Sequence, residues 1–139
     1  MRTRIVLTVV AVVVALGVVA PSALALYPQL SAKLTGPEIG GVTPEGDAKV
    51  DQSKYPSVPP RLDVRVKNVN LPDGTTLFVG VGCEYHSCLD YRKAGTFSLT
   101  KREGSFSGSL QTQVGRQTSI MVSTADGTVR LSNSDPMNP

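Results

Sequence analysis

The chain has 139 residues, a formal charge of +3, one His, two Cys, no Trp, three Phe and four Tyr. Lys101-Arg102 and Arg92-Lys93 are isolated pairs rather than patches, so the basic balance supplies no footprint for nucleic acid. With so few aromatics, stacking platforms for bases or sugars are poorly supplied.

The first residues read as an export signal. Arg2 and Arg4 form a positive start, Ile5 to Ala20 is apolar and uncharged, and Pro21-Ser22 breaks the run. Ala23-Leu24-Ala25 then offers the small residues that signal peptidase accepts. The apolar run is about sixteen residues, short of the roughly 20 needed to span a bilayer. The expectation is a signal peptide over 1–25, cleaved after Ala25, with a secreted or periplasmic mature chain and no membrane insertion after cleavage. Loss of Arg2 and Arg4 lowers the formal charge to +1. The mature length suits one domain.

Taken in order, 26–32 reads as a flexible lead-in, and Lys33 to Gly41 holds a first short strand ending in Gly-Gly. Val42 to Gly46 carries turn chemistry. Asp47 to Gln52 places Ala48 and Val50 on one side and reads as a weak edge strand, with the potential to pair with another copy. Ser53 to Pro60 has three prolines and is expected as an exposed connection of polyproline character.

Arg61 to Val81 is the strongest pattern. Leu62, Val64 and Val66 alternate with Asp63, Arg65 and Lys67. Pro72-Asp73-Gly74 turns the chain, and Leu77, Val79 and Val81 resume the alternation. This reads as a hairpin around which the remaining chain packs. Gly82 to Lys93 has no periodicity and reads as a long loop. Ala94 to Lys101 buries Phe97 and Leu99, and Arg102-Glu103-Gly104 turns. Ser105 to Val114 continues with Phe106 and Leu110 inward. Thr118 to Thr124 has Ile120 and Val122 inward, Ala125-Asp126-Gly127 is an Asp-Gly turn, and Val129 and Leu131 end the last strand. Residues 133–139 read as a disordered tail.

Seven or eight short strands at turn spacings of roughly 8–12 residues predict an all-β domain over 33–132. The expected architecture is an antiparallel β-sandwich, immunoglobulin-like, with a small β-barrel as the alternative.

The order of features from Leu34-Thr35-Gly36-Pro37-Glu38, through Gly41-Val42-Thr43-Pro44-Glu45-Gly46, to Val69-Asn70-Leu71-Pro72-Asp73-Gly74-Thr75 resembles a group of small exported bacterial β-sandwich proteins of unknown function. It is more distantly similar to the CHRD domain. The resemblance covers about half the mature chain and rests on turn residues and alternation. It implies an exported sandwich without catalytic residues, and it carries no functional residue across. Relative to that pattern the Cys83–Cys88 stretch looks like an insertion.

Cys83 and Cys88, in an exported domain, are expected to form a disulfide that staples the loop. The chain-entropy gain for so short a loop is about 2 kcal/mol. The alternative is a metal set of Cys83, His86 and Cys88 with Glu84 or Asp90, but the spacing matches no standard zinc site and no second Cys/His pair exists. His86 is the only His, so any Ser- or Cys-based nucleophile would need it. Gly104-Ser105-Phe106-Ser107-Gly108 has the wrong spacing for a nucleophile elbow. Asp73-Gly74-Thr75 and Asp126-Gly127-Thr128 lack the further oxygens of a Ca²⁺ loop and read as turns.

The expected function is a non-enzymatic binding module of the cell envelope or extracellular space, without metal or cofactor. It presents Glu84, Tyr85, His86, Asp90, Tyr91 and Arg92 to a protein or envelope partner. Two alternatives stand beside it: a structural or matrix protein with no specific ligand, and a metal-dependent hydrolase.

Overall fold

A computed structural model describes residues 29–55, 57–82 and 91–139. Eight strands form: β1 (Gln29–Thr35), β2 (Glu45–Asp51), β3 (Arg61–Lys67), β4 (Thr76–Gly82), β5 (Arg92–Ser98), β6 (Gly104–Ser109), β7 (Ser119–Ser123) and β8 (Arg130–Ser132). All pairings are antiparallel, in one sheet of order β5-β4-β7-β8-β1-β2-β3-β6. The sheet curls until its end strands, β5 and β6, meet. The fold is therefore all-β and antiparallel as expected, and its closure is that of the barrel alternative.

Alternation decides what lies inside. Leu62, Val64 and Val66 of β3, Leu77 and Val79 of β4, and Ile120 and Val122 of β7 are buried, as their spacing requires. They join Leu30, Leu34, Val50 and Leu131 in one core.

The outward residues of β1, β2 and β3 fix the register of this half. Asp51 faces Arg61, Lys49 faces Asp63, Asp47 faces both Lys33 and Arg65, and Glu45 faces Lys67. Ion pairs join Lys33 to Asp47, and Lys67 to Glu45 at 3.1 Å. Exposed pairs of this kind each contribute well under about 1 kcal/mol. Their pattern matters more. A two-residue slip of β2 against β3 in either direction sets Asp against Asp and Lys against Arg, and a one-residue slip turns the core side chains to water.

Several expectations are corrected. Arg61 to Val81 is strand, turn and strand, but not a hairpin. Both edges of β3 are taken by β2 and β6, and both edges of β4 by β5 and β7. Their connection, Asn68 to Thr75, instead bonds to the β5–β6 turn. The Val69 amide donates to the Arg102 carbonyl at 3.0 Å, and the Gly74 amide to the Leu99 carbonyl at 2.8 Å. The Asp73 carboxylate caps the Lys101 amide at 2.8 Å.

The weak edge strand at Asp47 to Gln52 is the central β2, between β1 and β3. Its charges made it look marginal, yet each faces a partner across the sheet. The lead-in over 26–32 is already strand from Gln29, with Leu30 fully buried. Gly40 and Gly41 do not end that strand. They form a separate tight turn, both at positive φ, closed by the Ile39–Val42 bridge. The expected strand Ser105 to Val114 stops at Ser109. Beyond it, Leu110 and Val114 are buried in the connection to β7, and Gln52 pins that connection by two bonds of 2.9 Å to the Val114 backbone. In the Ser53–Pro60 connection Lys54, Tyr55 and residues 57–59 are exposed as expected and Pro60 is buried, and the Val58 amide donates to the Tyr55 carbonyl at 3.0 Å.

The tail is the largest correction. Residues 133–139 do not fray. The Asn133 carboxamide accepts from the Ile120 amide at 2.7 Å and donates to the Thr118 carbonyl. Asn138 bridges to Ser31, and Met137 is fully buried. A polar tail can thus hold a core residue. Met137→Ala is expected to lower unfolding free energy in urea by about 2–4 kcal/mol, where a frayed tail would give no change.

Candidate functional site

The site is built on the β4–β5 hairpin. β4 runs through Gly82 and β5 begins at Arg92. Cys83, Glu84, Tyr85, His86, Cys88 and Asp90 lie outside the described residues, and with them the expected disulfide and most of the expected loop. Tyr91 and Arg92 are described. Arg92 and Lys93 are not loop residues, contrary to expectation. Arg92 pairs with Val81 and Lys93 with Gly80. The pairing shifts there, because Val79 pairs with Gly95 and Ala94 is skipped. That bulge breaks the alternation and hides the start of the strand in the sequence.

Tyr91 lies on the outer face of the sheet, over two glycines of β4. A methyl group at Gly80 would stand 3.0 Å from Tyr91 Cβ, and one at Gly82 would stand 3.0 Å from Tyr91 Cε1. A side chain at either position would crowd the ring and require it to give way. Met121 of β7 pairs with Gly80 and borders the ring, its Cε 3.5 Å from the Gly80 methyl position. Arg130 of β8 reaches the far edge. Its guanidinium donates to Tyr91 Oη at 3.1 Å, with Cζ 5.2 Å from the ring centroid. Beside this group, Lys93 Nζ sits 4.6 Å from the centroid of Phe78. Two cation–ring pairs thus share one face, each contributing about 0.5–1 kcal/mol where exposed.

The two outer faces of the barrel differ in charge. The four ion pairs among the described residues all lie within β1, β2 and β3. There the carboxylates are engaged, and the Ser107 hydroxyl followed by Arg61 holds Asp63 below the usual carboxylate range. β4, β5, β7 and β8 carry no acidic residue, and of their cations Lys93 and Arg130 take outward positions, whereas Arg92, paired with Val81, takes the other face. This half has unbalanced positive charge beside aromatic and thioether surface.

The two Asp-Gly turns are turns, as expected. Asp126 accepts from the Thr124 hydroxyl at 2.6 Å and from the Thr128 amide and hydroxyl, which holds its carboxyl below the usual range. At the connection between β2 and β3, Tyr55 and Val58 are exposed, with Lys54 Nζ 5.1 Å from the Tyr55 ring.

Reading the sequence missed Phe78, Met121 and Arg130. The available signal was Gly80 and Gly82, two glycines at outward positions of a strand whose inward positions are Leu77, Val79 and Val81. No known protein family, curated protein or solved structure matches the chain.

Tyr91 therefore has a role in the fold as well as a place at the surface. Tyr91→Ala is expected to uncover the β4 backbone and lower stability by about 1–2 kcal/mol, whereas Tyr91→Phe loses only the Arg130 bond and less than about 1 kcal/mol. Urea unfolding of the two variants separates covering from hydrogen bonding.

Proposed function

We propose that the protein is an exported, non-enzymatic binding module of the cell envelope or extracellular space. Its contact surface is the outer face around Tyr91. The observation that carries this reading is the charge difference between the two faces. Across β1, β2 and β3 each carboxylate faces a cation, leaving little net field. Across β4, β5, β7 and β8 two outward cations, Lys93 and Arg130, stand without an acid, around Tyr91, Phe78 and Met121. Folding alone does not call for that excess, and it steers a partner of negative charge. Export is supported by the apolar run ending at Ala23-Leu24-Ala25.

The test is co-sedimentation of the purified exported protein with envelope fragments of the cells that produce it. Replacing Lys93 and Arg130 together by Glu is expected to reduce the bound fraction about tenfold. The melting temperature should move little, because both side chains are exposed. The control Lys49→Glu, on the opposite face, is expected to leave binding unchanged. Equal loss in both variants, or none in the first, contradicts the reading.

A further inference from the structure

We infer that the Tyr91 face is a binding site for an acidic polysaccharide, a chain of pyranose rings bearing carboxylates. The inference rests on the binding reading above and names its ligand class. Three features point to it. First, Tyr91 lies against the sheet because Gly80 and Gly82 have no side chains in its way. An aromatic ring held in this manner is a platform, fixed before binding, against which the apolar face of a sugar ring packs at low entropic cost. Second, Arg130 meets the ring at its hydroxyl edge, with the guanidinium bonded to Tyr91 Oη. That bond uses one of five donors and leaves the fork able to take a carboxylate in two parallel bonds. The phenol holds the guanidinium in place, which confines the carboxylate to the rim of the platform. Third, the outward neighbours are short hydroxyls. Ser119 pairs with Gly82 and Ser132 with Met121. Short polar groups around a flat ring suit the hydroxyls of a sugar without obstructing its approach.

Lys93 extends the positive charge along the face, beside Phe78. A ligand with charges repeated along an extended chain can meet Arg130 and Lys93 together. No carboxylate of β4, β5, β7 or β8 opposes it. Complementarity of charge and the half-buried ring therefore select the same class of partner.

The experiment titrates the exported protein calorimetrically with a galacturonate oligosaccharide, the same oligosaccharide fully methyl-esterified, and polyglutamate of matched charge. The expected result is saturable binding of the acidic oligosaccharide alone. Arg130→Gln and Lys93→Gln, both at exposed positions, should each weaken it about tenfold, as loss of a charge-assisted contact does. Tyr91→Phe should retain most of the affinity, since the platform remains. Absence of saturable binding, equal binding of polyglutamate, or affinity unchanged in both cation variants overturns the inference. If envelope association persists while the oligosaccharide fails, only the ligand class is wrong. If both fail, the face itself is not the site.

Discussion

The barrel depends on how its two end strands meet. β5 and β6 are joined by their turn and the Thr100–Glu103 bridge, and beyond it they do not pair as a ladder. What closes the gap is side-chain shape. A methyl at Gly104 would fall 2.5 Å from the Phe97 ring, one at Gly95 would fall 2.1 Å from Phe106 Cε2, and one at Gly108 would fall 2.6 Å from Phe106 Cζ. Phe97 of β5 lies over Gly104 of β6 and Phe106 of β6 over Gly95 of β5, while Gly108 gives Phe106 room within its own strand. All five residues share the inward face, since Phe97 pairs with Leu77, Gly95 with Val79, Phe106 with Val64, Gly104 with Val66 and Gly108 with Leu62. The rings therefore bury apolar surface across a line where hydrogen bonds are lacking, a substitute for the full ladder that usually removes sheet edges.

The same device appears on the outside. Tyr91 covers Gly80 and Gly82 as Phe106 covers Gly95. Inside, the aromatic–glycine contact closes the barrel. Outside, it lays a ring along the surface and brings it against Arg130. The opposite half solves its outer surface with charge, alternating sign between β1, β2 and β3 so that register is fixed and little field escapes. A molecule with one electrically balanced face and one cationic, aromatic face has an orientation. That asymmetry is the reason for assigning binding to the β4–β5 hairpin side.

Much of this fold was legible in the sequence, because period-2 alternation is a local signal. It placed Val64, Val79, Ile120 and Val122 correctly, and it gave the all-β class and most of the turns. Pairing was not legible. Alternation says which face a residue takes but not which strand lies beside it, so β3 and β4 read as partners when β5 and β6 stand between them. β2 read as an edge because the cations that balance its acids lie in β1 and β3. The tail read as disordered because Met137 is a single apolar residue held by contacts more than a hundred residues distant in the chain, such as Ser31 to Asn138. At the site, Tyr91 and Arg92 were legible as candidates from composition alone. Arg130, Phe78 and Met121 were not, since only the sheet order brings β8 and β7 beside β4. The role of Tyr91 as a platform needed the glycines beneath it.

The central claim is that closure rests on rings packed over glycines, and a mutant cycle at Gly95 and Phe106 tests it most directly. Gly95→Ala is measured by urea unfolding in the parent and in a Phe106→Ala background. The account predicts a loss of about 1–3 kcal/mol in the parent, where the methyl meets the ring. In the background without the ring the loss should vanish or become a small gain, because alanine is better than glycine in a strand. An equal loss in both backgrounds would mean that Phe106 is not what occupies the space above Gly95, and would contradict the account of closure.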